Sequence, residues 1–398
     1  MEVSGLNGIR SIEELELRGQ RLFLRLDLNV PFNSAGEISD ETRIHAALPT
    51  IQYALEKGAR IVLASHLGRP KKPEDRSKFS LEPVAKALSQ KLNVEVQLIE
   101  EPDSDAPRAL LHNMRPATML LLENLRFAEG EEKNSSSLAE VWASYSDLYV
   151  NDAFGSSHRA HASISALPGL MKERGVGFLM KKEIEMLDQV LFCKDHPYVA
   201  VLGGAKVSDK IDLIENLIDK VDTFLIGGGM AYTFLAAQDK SIGKSMIEKD
   251  KVRFAKDLMA RIDARGKKIL IPVDHVCSKQ FAGAPVAEPG SSIGDDLMGL
   301  DIGPATVNLF SQEIRNAKVV FWNGPMGVFE KPPYEKGTFA IAKAMSQSSG
   351  ITVVGGGDSA AAINASGLSE QVTHISTGGG ASLEYLQGIT LPGLKALK

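Results

Sequence analysis

The sequence predicts an α/β protein made of two halves, each a parallel β-sheet flanked by helices, joined by a long helix. Three observations carry this. Short apolar runs alternate with amphipathic helical stretches along the chain, the βαβ pattern of parallel strands joined by right-handed crossovers. The alternation runs through both halves without a visible repeat of sequence. Between the halves lies one helical pattern, Phe178 to Phe192, with Ile184, Leu187, Val190 and Leu191 on one face. No Gly/Ser or Pro-rich linker interrupts it, so a semi-rigid connector is expected.

In the first half, Arg21 to Leu28 sets Leu22, Leu24, Leu26 and Leu28 against Arg21, Arg25 and Asp27, a period-two strand signal. Thr42 to Lys57 carries a helical stripe of Ile44, Leu48, Ile51 and Leu55, with Pro49 as a kink point and Gly58 as a stop. Ile61 to Ala64 reads as a buried strand, and Val94 to Ile99, Met119 to Leu122 and Leu148 to Val150 as further strands. Helical patterns near Leu81 to Leu92 and Leu138 to Tyr145 lie between them. The second half offers strands at Tyr198 to Leu202, Thr223 to Ile226, Ile269 to Val273, Lys318 to Trp322, Thr352 to Val354 and His374 to Ser376. Its clearest helix runs from Ser208 as N-cap through Ile211, Ile214, Leu217 and Ile218.

Composition narrows the function classes. The 398 residues are 43% hydrophobic and 24% charged, an ordinary globular balance. The net charge of -5 argues against general nucleic-acid or membrane-surface binding. No apolar run approaches the roughly eighteen residues a membrane span needs. Met1 to Gly19 lacks a basic stretch followed by an apolar core, so no signal peptide is expected. Two distant cysteines, Cys193 and Cys277, form neither a disulfide framework nor a zinc ligand set, and a cytoplasmic setting fits them.

Ligands of open parallel sheets sit beyond the carboxyl ends of the strands. In the first half those positions hold Asp27 and Asn29, then Ser65-His66-Leu67-Gly68-Arg69, Glu123-Asn124-Leu125-Arg126 and Asn151-Asp152, leading to His158-Arg159-Ala160-His161. In the second they hold Gly203-Gly204-Ala205-Lys206, Gly227-Gly228-Gly229, Asn323-Gly324-Pro325, Gly355-Gly356-Gly357-Asp358 and Gly378-Gly379-Gly380. One half therefore offers arginines and histidines, and the other glycine loops. Arg43, Arg69, Arg126 and Arg159 with His66 suit a small, multiply charged anion, since guanidinium forks match phosphate and carboxylate oxygens. Each arginine alone reads as a surface residue; several at successive strand ends do not. The turns into Ala360-Ala361-Ala362 and around Gly378 to Gly380 suit a phosphate chain held by backbone N–H groups. Gly227 to Gly229 taken singly read as a tight turn. Asp358 suits either a Mg²⁺ contact or a helix N-cap, and the residues alone leave both open. Lys206 and Lys210, around Asp209 at a helix start, oppose the dipole there and point to an anionic ligand. Gly243-Lys244-Ser245 is not a P-loop, because Gln238 stands where the first glycine is needed. Gly355 to Ala360 formally satisfies G-x-G-x-x-A but lacks the acidic residue about twenty positions on.

Taken in order, Leu26-Asp27-Leu28-Asn29-Val30-Pro31, Asp40 to Ile44, Ser65 to Pro70, Leu122 to Phe127, Val150 to Gly155, Gly204 to Lys210, Trp322 to Glu330, Gly355 to Asp358 and Ser376 to Gly380 resemble the phosphoglycerate kinase family along nearly the whole chain. Leu28 replaces the family's usual Phe, and Ser359 stands where many members have Thr. The resemblance implies two Rossmann-like domains facing across a cleft: 1–177 binding phosphoglycerate, 178–193 connecting, 194–380 binding nucleotide, and 381–398 returning to the first domain. It implies reversible phosphoryl transfer between 1,3-bisphosphoglycerate and Mg-ADP, giving 3-phosphoglycerate and ATP. Asp27, Asn29, Arg43, His66, Arg69, Arg126 and Arg159 would bind the phosphoglycerate. Lys210, Gly299, Asn323, Glu330, Gly356, Gly357, Asp358 and Ser359 would bind the nucleotide, with Glu330 at the ribose and Asp358 at Mg²⁺. Arg43, Lys206, Lys210 and the amides of Gly378, Gly379 and Gly380 would surround the transferred group. A monomer acting on small molecules alone is expected, with no nucleic-acid or membrane partner. Two other readings are a nicotinamide-dependent oxidoreductase using the Gly355 loop and a non-catalytic anion-binding protein.

Overall fold

The computed structural model of the protein describes residues 4–104, 106–114 and 119–398. The chain divides into two compact units, Met1–Glu185 with Thr390–Lys398, and Met186–Ile389.

The first unit is built on six parallel strands, β1 (Arg21–Leu26), β2 (Arg60–Ala64), β3 (Val96–Ile99), β4 (Met119–Leu122), β5 (Leu148–Asp152) and β6 (Glu173–Val176), in the order β3-β4-β2-β1-β5-β6. Leu24 pairs with Leu63 on one side and Val150 on the other. A parallel strand with helices on both faces is buried on both faces, which favours continuous aliphatic runs. That constraint overturns one expectation. Arg25, placed by alternation on a polar face, is 1% exposed in the middle of the sheet. The helix Thr42–Glu56 buries Ile44, Ala47, Ile51 and Ala54 and ends at Gly58, whose φ is +75°. β6 escaped the pattern because Glu-Arg-Gly-Val holds a single aliphatic residue and lies at a sheet edge. The tail residues Leu391, Leu394 and Leu397 are buried in this unit, and Gly393 N–H donates to Ser157 O at 2.9 Å.

The helix Phe178–Leu191 runs from the first unit into the second. Asp152, at the end of β5, receives the N–H of Met180 on Oδ1 at 2.9 Å in that helix's first turn. Burial raises its pKa to about 6, against the hydrogen bonds from Thr50, Met180 and Leu179.

The second unit repeats the plan with β7 (Tyr198–Leu202), β8 (Thr223–Ile226), β9 (Lys268–Leu270), β13 (Val319–Asn323), β14 (Ile351–Gly355) and β15 (His374–Ile375), in the parallel order β15-β14-β13-β7-β8-β9. The expected strand to Val273 stops at Leu270. A second sheet, β10 (His275–Ser278), β11 (Val286–Glu288) and β12 (Met298–Ile302), is antiparallel in the order β11-β10-β12. Its short, glycine-containing and polar strands left no periodic signal. Ser208 does not cap the following helix: it lies inside a 3-10 turn, Ser208–Lys210, and the N–H groups of Val207, just before the turn, and of Ser208 go to Glu248 at 2.5 and 3.1 Å.

Asp274 holds the helix Pro304–Asn316. Its carboxylate takes the N–H groups of Ala305 and Thr306 at 2.8 and 2.7 Å and the Thr306 hydroxyl at 2.6 Å, the two Thr306 bonds out of water. Losing such a cap strands buried donors, so Asp274→Ala should lower the stability of the second unit by about 2 kcal/mol. Urea unfolding followed by circular dichroism reads this directly, and an unchanged midpoint would contradict it.

Candidate active site

The carboxyl ends of β1, β2, β4 and β5 assemble a cationic face in the first unit. Arg25 anchors it from behind: Nε donates to Ser163 Oγ at 2.9 Å, Nη1 donates to Leu26 O, and Nη2 lies 3.3 Å from His66 Nδ1. A guanidinium only donates, so His66 Nδ1 accepts, and the neutral ring carries its proton on Nε2. Glu131, fully buried, closes the network by accepting Ser163 N–H at 2.8 Å and the Ser163 hydroxyl at 2.6 Å. Burial raises its pKa against the pull of Arg25 and Ser163.

In front of this layer, Arg43 pairs with Asp27 at 2.5 Å. Burial works to raise the Asp27 pKa, but the adjacent charges, with Arg43 and Arg25 among them, hold it below the ordinary aspartate value. Arg126 donates through Nη1 to Gly68 O and lies 3.2 Å from Glu132. Its pKa is lowered by burial and, against Glu132, by the fields of Arg159, Arg25 and Arg69, which places these cations around one spot. Asn29 Oδ1 accepts Gly68 N–H at 2.8 Å. Gly68 itself has φ +59°, and a Cβ there would lie 2.2 Å from the Phe79 ring. Of the seven expected residues, Asn29 and Arg126 thus meet at Gly68, Asp27 pairs with Arg43, His66 is held by Arg25, and the charges of Arg69 and Arg159 act on Arg126. Sequence reasoning missed Arg25, Ser163 and Glu131; the only signal was a charge inside an otherwise aliphatic strand.

The second unit presents a glycine-lined edge. Lys210 Nζ donates to Asn323 Oδ1, and Asn323 Nδ2 donates to Gly355 O at 2.6 Å. Burial lowers the Lys210 pKa, opposed by Asp209 and Asp358. Gly356 takes φ +88°, where a Cβ would stand 2.6 Å from Asn323 Nδ2, and it is the N-cap of the helix Gly357–Ala365. Asp358 therefore stands inside the first turn, which excludes the N-cap alternative for it. Ser359 is fully buried and its hydroxyl accepts Gly324 N–H at 2.5 Å. Lys206 is exposed on the loop after β7. Of the three glycine amides, Gly378 N–H is committed to Ser376 Oγ at 3.2 Å; Gly379 caps the helix Gly380–Leu386.

Beside this edge lies a cavity of about 500 Å³ walled by Tyr232, Met298, Leu300, Met326 and Val328. Gly299, Glu330 and Asp358 line it too, so three residues named separately from the sequence meet in one place. Lys244, from the rejected P-loop match, also reaches it and lies 3.6 Å from Asp296. An apolar slot ending at carboxylates and helix-start N–H groups suits a flat ring carrying a polar, phosphorylated tail. Among the described residues no group of three or more His, Cys, Asp or Glu is placed to hold a metal ion. A metal here would need ligand oxygens besides Asp358, the usual habit of Mg²⁺ on a nucleotide.

Two α/β units, one with a cation-lined edge and one with a glycine-lined edge beside an apolar cavity, define the class of small-molecule kinases built on parallel sheets. A family model described as phosphoglycerate kinase matches residues 12–389. A phosphoglycerate kinase of Bdellovibrio bacteriovorus is 57% identical, over 99% of this chain and 98% of its own. One from Anaeromyxobacter dehalogenans is 51% identical, over 98% and 99%. The solved structure of phosphoglycerate kinase from Coxiella burnetii superposes with a TM-score of 0.90 at 39% identity, covering 98% of both chains. The chain belongs to the phosphoglycerate kinase family.

The electrostatics of the cationic face make a pH prediction. Burial holds the His66 pKa well below 6.5, against Asp27 and with Arg25, Arg126 and Arg43 adding to the effect. Burial and then Arg25, Arg126 and Arg159 lower His161 to about 4. Both rings bind protons more weakly folded than unfolded, so together they withdraw stability as pH falls below 6.5. Imidazole resonances of His66 and His161 should show no titration midpoint near 6.5, and should rise in midpoint when an anion fills the face. A free-protein midpoint near 6.5 for either ring would contradict the assignment.

Proposed function

We propose that this chain transfers a phosphoryl group reversibly between 1,3-bisphosphoglycerate and Mg-ADP, giving 3-phosphoglycerate and ATP. The observation that carries the reading is the pairing of a cationic edge with a glycine-lined edge and apolar cavity in a chain matched by the family from residue 12 to 389. The nicotinamide-dependent alternative has no support from that match.

The acceptor in the ATP-consuming direction is a carboxylate, ionised at neutral pH, so no general base is required. The work left to the protein is positioning and stabilisation of negative charge on a loose phosphoryl group. Arg69, Arg126 and Arg159, with Asn29 and His66 Nε2–H, are suited to hold the phosphoglycerate, and Asp27 to orient Arg43. Arg43 from the first unit and Lys206 and Lys210 from the second would take the charge that develops on the transferred group, with Gly379 and Gly380 N–H groups beside them. Gly299 and the cavity would take the base and Glu330 the ribose. Asn323 acts through Lys210, and Ser359 through the turn at Gly324. Asp358 would hold Mg²⁺ with nucleotide phosphate oxygens, where the ion neutralises phosphate charge. Since the two ligands bind to different units, bringing them into line and excluding water is a required step of turnover.

Purified protein given Mg-ATP and 3-phosphoglycerate should form an acyl phosphate that hydroxylamine traps, and chelation of Mg²⁺ should abolish it. Arg43→Ala should lower kcat by on the order of 100-fold or more while leaving nucleotide KM within about twofold. Folded protein that binds 3-phosphoglycerate without turnover would favour the non-catalytic reading, and equal losses in kcat and nucleotide affinity would remove Arg43 from the role given to it.

A further inference from the structure

Glu123-Asn124, immediately after β4, has no part in the chemistry above, yet the Asn124 side chain is bonded at every position it has. It is 0% exposed. Oδ1 accepts the N–H groups of Leu67 and Arg126, each at 3.1 Å. Nδ2 donates to Leu67 O at 2.7 Å and to Phe79 O at 3.0 Å. Two acceptor sites and two donors are the whole inventory of a primary amide, so the group is saturated.

The four bonds reach three segments: the turn that carries His66 and Arg69, the backbone at Phe79, and the backbone of Arg126. Glu123 pins the same neighbourhood. Its Oε1 accepts Leu81 N–H and Asn124 N–H, both at 2.7 Å, and Oε2 accepts the Ser80 hydroxyl at 2.7 Å. The Phe79 ring fills the space over Gly68. Gly68 in turn meets Asn29 through its N–H and Arg126 through its carbonyl. The loops tied together here carry cations that repel one another, as the lowered Arg126 pKa shows, after burial, through Arg159, Arg25 and Arg69. A carboxylate could not serve as the tie: it has no donors for the two carbonyls, and its charge would cancel the field that draws an anion.

We propose that Asn124 is a positioning residue whose neutral amide brackets the His66–Arg69 turn, the Phe79 segment and Arg126, and so sets the affinity of the first unit for phosphoglycerate. The inference rests on the function proposed above. Displacing a guanidinium by about 1 Å can cost about 100-fold in binding or rate, whereas the residues that line the nucleotide cavity all belong to the second unit.

The test is steady-state kinetics and titration calorimetry on the full chain, wild type against Asn124→Asp, from pH 5.5 to 8.5. At pH 8 the variant's KM and dissociation constant for 3-phosphoglycerate should rise by about tenfold or more, with Mg-ATP KM within about twofold. The defect should shrink toward low pH, because a protonated carboxyl regains one donor; wild type should lack this added pH dependence. Asn124→Ser removes both Nδ2 bonds without a charge and should show the same selective loss without the pH trend. Should neither variant fold, hydrogen exchange on wild type decides: the Leu67 and Arg126 amides should slow together when 3-phosphoglycerate binds. Equal weakening of both substrates, an unchanged 3-phosphoglycerate KM in a folded variant, or exchange at Leu67 and Arg126 that is indifferent to ligand would overturn the proposal. Wild-type turnover reports on the proposed function, whereas the ratio of variant to wild type reports on Asn124; wild type that binds no 3-phosphoglycerate overturns both.

Discussion

Gathering five guanidinium groups at one sheet edge is opposed by their mutual repulsion, and the first unit is organised around that constraint. Arg25 shows how it is met. The side chain is 1% exposed, and its donors go to a backbone carbonyl, a serine hydroxyl and an imidazole nitrogen, with Glu131 one residue further back through Ser163. A buried charge survives only when paired and hydrogen-bonded. The outer cations are neutralised more sparingly: Asp27 pairs with Arg43, and Glu132, mostly exposed, sits beside Arg126. The remaining positive field is therefore directed outward, and His66 and His161 in it bind protons weakly. A multiply charged anion completes such a face electrostatically.

The second unit is built differently, and the proposed reaction would use it for close approach of backbone to a phosphorylated ligand. Its glycine turns bring main-chain N–H groups to the edge, while a lysine, Lys210, is half-buried and tied to Asn323. The apolar cavity between β12 and the turn after β13 supplies area for a ring without demanding many polar partners. Each unit thus specialises, and the chemistry proposed for the chain needs both: cations for the acid substrate, amides and a slot for the nucleotide.

Much of this was legible in the sequence because parallel strands write a strong signal. Runs such as Ile61 to Ala64 and Thr223 to Ile226 are continuous apolar or β-branched segments bounded by turn residues, and the residues after them are the site candidates. The less legible parts have physical causes. Arg25 fitted a period-two pattern that a doubly covered strand does not obey. β6 and the antiparallel sheet are too short and too polar to show a period. The true cap of the turn at Ser208 is Glu248, forty residues on, which no local rule reaches. Ser359 and Gly378 carry the right motifs, but their polar atoms serve neighbouring turns. Gly299 had the weakest local motif, and only tertiary structure sets it beside Glu330 and Asp358.

The central claim is that the chain carries two chemically distinct ligand faces, one on each unit. Amide chemical-shift mapping of the wild-type protein with one ligand at a time tests it most directly. With 3-phosphoglycerate alone, the account predicts shifts at 27–29, 43, 66–69, 124–126 and 158–161, within the first unit. With Mg-ADP alone, it predicts shifts at 204–210, 299, 323–330 and 356–359, within the second. Both ligands perturbing the same unit, or either leaving its own set unmoved at saturation, would contradict the account.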